Sequence, residues 1–199
     1  MARHREFDET EVLDAAMHTF WSRGYEGTSL RDLETATGLT RTSIYNAFGN
    51  KRELFERIVR HYRETVLLQL LAHLDQADSL TEGIRKLLNN VIELHFDPGT
   101  PGGCLVLLSL MEREQHDAHS VEILEKIIQG LDRNLRKRIS SAQKQGEIDS
   151  SLDPNALAGS VTATMAGLMV MGKSGFSKAA LKKAASNTSQ LFAAAAKAA

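Results

Sequence analysis

The chain has 199 residues, of which 42% are hydrophobic and 25% are charged, a composition typical of folded globular proteins. Its formal net charge is −1, so binding of nucleic acid would have to come from the local placement of charges and not from their sum. The single cysteine excludes an internal disulfide framework and a cysteine-rich zinc site, and it fits a reducing compartment.

Helical periodicity extends through almost the whole chain, without the sustained alternation expected of a strand. A first helix is predicted from Glu9 to Arg23. Two short helices follow, from Ser29 to Thr37 and from a cap at Thr40 to about Ala47, joined by a tight turn at Gly38. Longer helices are predicted over about Lys51–Leu74, Leu80–Phe96, Cys104–Glu114, Ser120–Gln145, Pro154–Met171 and Ser177–Ala198. The pattern predicts an all-α protein with an N-terminal three-helix domain (1–50) and a larger C-terminal helical bundle (51–199).

Neither end of the chain nor its interior shows a targeting or membrane signal by the simplest criteria. The N-terminus lacks the apolar segment of a signal peptide. The apolar runs Val66–Leu71, which includes Gln69, and Cys104–Leu108 are far shorter than a membrane span. We therefore expect a cytoplasmic protein without membrane contact.

The stretch from Ser29 to Phe48 is typical of a helix-turn-helix, whose second helix lies on the surface and can enter the major groove of DNA. Arg41 can bind guanine through two hydrogen bonds, Asn46 can do the same with adenine, and the Thr42 methyl group can contact a thymine methyl group. Hydroxyl groups and an amine at a helix start suit phosphates. The predicted phosphate contacts are Thr28, Thr40, Ser43, Tyr45 and Lys51.

Local charge supports this interpretation only in part. Residues 41–63 contain six basic and two acidic side chains. Arg3 and Arg5 could form an N-terminal arm for the minor groove. The alternative is a helical hairpin with a glycine turn, in which Arg41 and Lys51 are ordinary solvated surface charges.

Residues 7–62 resemble the DNA-binding domain of the TetR family of transcriptional regulators. The resemblance rests on many positions in order: Ala15, Ala16, Phe20, the run 23–30 (RGYEGTSL), the run 36–40 (ATGLT), the run 43–51 (SIYNAFGNK), Leu54 and Phe55. It implies a fold of about nine helices, a homodimer, a palindromic operator on double-stranded DNA and repression relieved by a small ligand.

The resemblance also assigns roles by position. It places Thr28, Thr40, Ser43, Tyr45 and Lys51 in the phosphate-contacting set. It places Arg41, Thr42 and Asn46 in the set that faces the bases. Thr42 stands where the family often has glycine or lysine, so no operator sequence is implied.

The helices after Lys51 are expected to dimerise and to receive a signal. Gly159, Ala163 and Gly167 lie four residues apart and form a small-residue stripe that allows close approach of another helix. We expect the last two helices to form the dimer contact, with the alternative that this stripe packs only within its own chain. Further apolar area is predicted from Leu168, Met169, Leu181, Leu191 and Phe192.

A ligand pocket is predicted between the middle helices, since helical bundles hold ligands between their helices. The candidate lining residues are Phe96, Cys104, Leu108, Met111, Met165 and Met169, with plain core packing as the alternative for each. Cys104 begins a predicted helix, where a thiol pKa can fall. The segment Pro101–Leu105 is similar to one in TetR subgroups, some of which sense oxidants or electrophiles through the cysteine. The alternative is a small buried side chain.

No metal, cofactor or enzymatic activity is expected. His116, His119 and Glu112 have a spacing that could hold a metal, but surface histidines are the simpler interpretation. An enzyme would need Cys104 with a base such as His95, and no supporting motif is present. A helical adaptor for another protein is a third possibility, and it would be indifferent to substitution of Arg41. The favoured hypothesis is a one-component transcriptional regulator released by a small-molecule or reactive signal.

Overall fold

The computed structural model describes residues 7–197, so Arg3 and Arg5 of the predicted minor-groove arm lie outside the described residues. Within this range every regular element is helical, which confirms the all-α prediction. The helices are α1 (Glu9–Arg23), α2 (Leu30–Thr37), α3 (Arg41–Phe48), α4 (Lys51–Tyr62), α5 (Leu68–Asp75), α6 (Leu80–Phe96), α7 (Leu105–Met111), α8 (Ala118–Lys144), α9 (Pro154–Lys173) and α10 (Lys178–Lys197).

Side-chain caps explain where several helices begin. The Asp8 carboxylate accepts hydrogen bonds from backbone N–H groups in the first turn of α1. Ser29 and Asp32 form a reciprocal capping box at α2, and Asn50 and Glu53 form another at α4. Each cap satisfies N–H groups that have no partner within the helix and contributes about 1 kcal/mol to stability.

Two predicted helices differ in detail from those observed. A π-helical turn, Arg63–Leu67, joins α4 to α5 without a break, so the predicted helix starting at Lys51 carries one wider turn. The helix predicted to end at Glu114 ends at Met111, where the apolar sequence stops, and a 3-10 turn follows over Arg113–Gln115. With α4 and α5 taken as one run, residues 7–197 contain nine α-helical segments, the number that the resemblance implies.

The first compact unit comprises residues 7–65 together with Cys104–Leu124. Phe20 of α1, Ile44 of α3 and Phe55 of α4 are each only 1% exposed. The rings of Phe20 and Phe55 meet edge to face with 5.3 Å between their centroids. This apolar centre fixes the three N-terminal helices on α4.

The second compact unit comprises residues 66–103 and the chain from residue 125 onward. Its central helix is α6, which packs against α5, α9 and α10. Ile84, Leu87 and Val91 of α6 are fully buried there. The predicted boundary after residue 50 divides the chain by function and stays a prediction, while the compact units group α4 and Cys104–Leu124 with the N-terminal helices.

Helix α9 is apolar around most of its circumference, yet much of it is exposed. Over 18 residues its mean hydropathy reaches 1.2 with only 28% of the window buried, so among residues 7–197 it alone has the length and composition of a membrane span. Small and polar residues interrupt its apolar sequence, so it contains no long apolar run. A Cβ atom added at Gly159 or Gly167 would meet no atom within 4 Å. The small-residue stripe therefore does not pack within its own chain at these two glycines.

The other residues predicted for a dimer contact behave differently from one another. Leu191 is 69% exposed and remains available to a partner. Leu168, Met169, Leu181 and Phe192 are buried in the core of their own unit, so their assignment to a dimer surface was wrong. Helical spacing showed that these side chains were apolar but could not show which of two apolar faces they occupied.

Candidate DNA interface

The turn between α2 and α3 determines how α3 is presented. Gly38 ends α2 in the left-handed conformation with φ of 69°, which costs glycine little and other residues more. Ile44 and Phe48 of α3 are 1% and 3% exposed, so they anchor one side of the helix in the core of the unit. Because the anchors take that side, the opposite side of α3 faces outward.

The outward side of α3 carries the four residues that the sequence predicted, Arg41, Thr42, Tyr45 and Asn46, and all four are exposed. We call this set the reading face. The Arg41 guanidinium lies 5.5 Å from the centre of the Tyr45 ring, and its Nη2 donates a long hydrogen bond of 3.5 Å to the Tyr45 hydroxyl. This contact pre-orients two long side chains in the direction in which DNA would approach.

Two hydroxyl groups lie at the beginning of α3. Thr40 is the N-cap and accepts a hydrogen bond of 3.2 Å from the backbone N–H of Ser43. The Thr40 and Ser43 hydroxyl oxygens lie 3.0 Å apart. Glu34 of α2 accepts a hydrogen bond of 2.7 Å from the backbone N–H of Arg41, so a carboxylate occupies one donor of this helix start. No local sequence pattern predicts that contact.

Lys51 is the first residue of α4 and lies above an aromatic ring. Its Nζ is 4.4 Å from the centre of the Tyr25 ring, a cation–π contact that restrains the long side chain. Neither Lys51 nor Arg41 forms an ion pair in the part of the chain that the structure describes. By contrast, Arg52 pairs with Glu56, which neutralises part of the basic run beyond residue 51.

Thr28 does not fit its predicted role. Its side chain is fully buried, and its hydroxyl donates a hydrogen bond of 2.7 Å to the carbonyl oxygen of Gly24. A buried hydroxyl that already donates to the backbone offers no surface to a phosphate. We therefore remove Thr28 from the candidate contacts.

Comparisons with known proteins connect this geometry to a family. Residues 12–58 match the family described as bacterial regulatory proteins, tetR family, and residues 81–188 match the tetracyclin repressor-like C-terminal domain. The HTH-type transcriptional regulator YezE of Bacillus subtilis (strain 168) is 33% identical over 79% of this chain and 82% of its own length. The chain belongs to the TetR family.

Further TetR-family proteins are similar over nearly the whole chain. The HTH-type transcriptional repressor ComR of Escherichia coli (strain K12) is 27% identical over 96% of this chain and 91% of its own. A cysteine mutant of the TetR-family regulator CifR, solved with 26-bp operator DNA, superposes with a TM-score of 0.86 at 29% identity, covering 94% of this chain and 98% of that one. The TetR-family chain is therefore a transcriptional regulator and not an enzyme.

The predicted ligand-pocket residues of this TetR-family protein are distributed over both units. Cys104, Leu108 and Met111 belong to the first, and Met111 is 71% exposed. Phe96, Met165 and Met169 belong to the second, where the two methionines are buried. None of the six lines the cavity of about 460 Å³ in the second unit, which is bounded by Leu68, Leu71, Ala72, Leu74, Asp75, Asn134, Lys137 and Arg138. Their role in binding a ligand stays a prediction.

Cys104 occupies the N-cap position of α7 without forming a side-chain cap. It is 3% exposed, and burial raises the pKa of its thiol despite contacts with backbone N–H groups of α7 that lower it. The Tyr62 hydroxyl lies beside the thiol but has no hydrogen-bond partner of regular geometry. The predicted lowering of the Cys104 pKa is therefore wrong, because loss of hydration outweighs the effect of the helix start.

One contact of the first unit was not visible in the sequence. Among residues 7–197, no group of three metal-ligating side chains converges on one point. His116, considered in the sequence as a metal ligand, instead packs against the rings of Tyr25 and Phe55, which also contact each other. Only the folded chain brings residue 116 to residue 25, and no local pattern predicts such a contact.

Proposed function

We propose that the protein represses transcription by binding a palindromic operator as a homodimer, with α3 of each subunit in a major groove. The observation that carries the proposal is the reading face, whose polar side chains are exposed on a helix anchored from behind by Ile44 and Phe48. ComR is named a repressor, and CifR was solved on operator DNA, which supports the same function here.

Within this proposal one group of side chains contacts bases and another contacts phosphates. Arg41 and Asn46 read guanine and adenine edges, and the Thr42 methyl group contacts thymine. Thr40, Ser43, Tyr45 and Lys51 bind phosphates and fix the register of α3. In a dimer the two reading helices would lie about 34–36 Å apart, one turn of DNA.

The dimer is proposed to form through α9 and α10. Gly159, Ala163 and Gly167 offer a flat surface with open space above both glycines, and Val170 and Leu191 add exposed apolar area. A second copy of the chain would cover this surface, as a lipid bilayer otherwise would. We favour the second copy because the protein is a TetR-family regulator that acts on DNA, and for the same reason we propose a cytoplasmic location.

Release by an effector is a further part of the proposal. Ligand pockets commonly measure about 300–1,000 Å³, and the cavity between α5 and α8 falls in this range. It is lined by leucines of α5 and by Lys137 and Arg138 of α8, among others. A ligand bound in this cavity would change the tilt of the continuous helical run from α4 to α5 and with it the spacing of the reading helices.

A footprint of the DNA upstream of the gene tests the proposal. The purified protein should protect a palindromic site, and Arg41→Ala should lose the protection. Arg31→Ala is the matched control, since Arg31 is an exposed arginine of α2 outside the reading face. A wild-type protein that protects no site, or an Arg41→Ala variant that protects as well as the wild type, would overturn it. The second result would favour the adaptor hypothesis.

A further inference from the structure

A short connector, residues 112–117 between α7 and α8, packs together with the first turn of α8 on the helices that carry the proposed DNA contacts. The His116 ring stacks on the Phe55 ring of α4 with 4.9 Å between centroids and lies 4.8 Å from the Tyr25 ring. Both ring nitrogens of His116 are buried and have no hydrogen-bond partner. Such a ring is accommodated only while it is neutral, because a charged ring would lose hydration without gaining a partner.

The same aromatic cluster holds a proposed phosphate contact. Lys51 places its ammonium group 4.4 Å from the centre of the Tyr25 ring. Phe55 lies one helical turn beyond Lys51 on α4. The rings of His116, Tyr25 and Phe55 and the ammonium group of Lys51 therefore form one contiguous cluster.

The connector is attached to this unit on either side of His116 as well. The Glu112 carboxylate lies against Gly24, where an added Cβ would approach its Oε2 to 2.9 Å. On the other side, the hydroxyl of Ser120 in the first turn of α8 lies 2.9 Å from the Asp117 carboxylate of the connector and 3.3 Å from the Glu56 carboxylate of α4. Movement of His116 would therefore disturb contacts both at the end of α1 and along α4.

We propose that His116 is a positioning residue for DNA binding, which in its neutral form holds the Tyr25 ring and through it the Lys51 ammonium group, and whose protonation weakens operator binding. The inference rests on the proposed function, in which Lys51 contacts a phosphate. An imidazolium at this place would repel Lys51 and leave the stack, so Lys51 would lose its restraint.

Charged groups face His116 from each element that packs on it. Burial has the largest effect and lowers the pKa of His116 below its ordinary value of 6.5, and Lys51 of α4 lowers it further. Glu112 and Asp117 of the connector and Glu26 of the α1–α2 turn oppose this shift by raising the pKa. The His116 ring is therefore neutral near pH 7, and it gains its proton only when the pH falls below the ordinary histidine pKa of 6.5.

The test is a titration of the footprinted operator duplex by fluorescence anisotropy, at constant ionic strength, from about pH 7.5 to about pH 5.5. Wild-type affinity should fall as the pH is lowered. The full fall is about tenfold per subunit for each pKa unit by which the pKa of His116 is lower in the DNA complex than in the free protein. His116→Phe keeps an aromatic ring in the stack and cannot take up a proton, so its affinity should not fall. His73→Phe, at an exposed histidine of α5, should behave as the wild type does.

Each outcome separates the inference from the function on which it rests. A His116→Phe variant with the wild-type pH profile, or a wild-type affinity that does not fall on acidification, overturns the role of His116 while operator binding stands. Tyr25→Leu should bind more weakly at every pH without losing its fold, as checked by circular dichroism, and an unchanged affinity overturns the link to Lys51. A wild-type protein that binds no operator at pH 7.5 overturns the proposed function itself.

Discussion

Thr28 and Thr40 have the same side chain and both stand just before or at the start of a helix, yet the structure gives them opposite environments. Thr28 is buried and donates to the Gly24 carbonyl oxygen, whereas Thr40 is exposed and caps α3. The family pattern placed both on phosphates. Sequence spacing could not separate them, because burial of Thr28 depends on how the end of α1 packs beside it.

For Cys104, too, the sequence could not predict burial, and here burial changes the chemistry of the side chain. The sequence predicted the helix start at residue 104 and the turn before it. It could not predict that the thiol is 3% exposed, and this burial reverses the direction of the pKa shift. The side chain is thus the small buried group that the sequence analysis kept as its alternative.

A thiol-labelling experiment checks this assignment. Because burial raises the pKa of Cys104, the native protein near neutral pH should react with dithionitrobenzoate at least about tenfold more slowly than the guanidinium-unfolded protein. The chain has one cysteine, so the colour change reports this residue alone. Equal rates in the two states would mean that the native thiol is accessible and ionised, as the resemblance to cysteine-sensing subgroups had suggested.

At the scale of single elements, helix starts were predictable and irregular turns were not. Ser29, Thr40 and Asn50 are capping side chains with a local signature, and each begins a helix where it was expected. The π-helical turn Arg63–Leu67 contains neither glycine nor proline, so nothing in the sequence marks it. The face of α9 was predictable as a small-residue stripe, but its exposure required the structure.

A charged residue on this stripe tests the dimer contact. Gly159→Glu should fold at least as well as the wild type, because the added Cβ meets open space and replacement of a helical glycine gains up to about 1 kcal/mol. It should sediment as a monomer without detergent, since two like charges would meet across a symmetric contact. Gly130→Glu is the matched control: Gly130 lies in α8, and its added Cβ meets only the flexible end of Arg133 at 3.7 Å. A dimeric Gly159→Glu variant would exclude this stripe as the contact.

At the scale of the whole molecule, the sequence predicted the all-helical fold class. It predicted only part of the arrangement of the candidate site. Helical periodicity throughout the chain, together with few prolines, predicts an all-helical fold. The reading face was predicted because it is local, three to four residues apart on one short helix. The cluster around His116 joins positions 25, 51, 55 and 116, and only tertiary packing brings them together.

The net charge of −1 gave no indication of nucleic-acid binding, and the structure shows how the basic residues beyond Lys51 are used. Arg52 and Arg60 pair with Glu56, and Arg57 pairs with Glu9, so the charges of these arginines are partly neutralised within the unit. Lys51 and Arg41 keep their charges available. A count of charges along the chain could not distinguish the two groups.

The most direct measurement compares operator binding by the wild type, Arg41→Ala and Lys51→Ala, on the footprinted duplex and on duplexes with single base-pair changes, across a salt series. Arg41→Ala should lose about 1–3 kcal/mol of discrimination at one base pair of each half-site. Lys51→Ala should weaken binding to all duplexes alike and lower the salt slope by about one per subunit. If Arg41→Ala instead weakened binding to every duplex equally, or neither variant changed affinity, α3 would not be the helix that reads the operator.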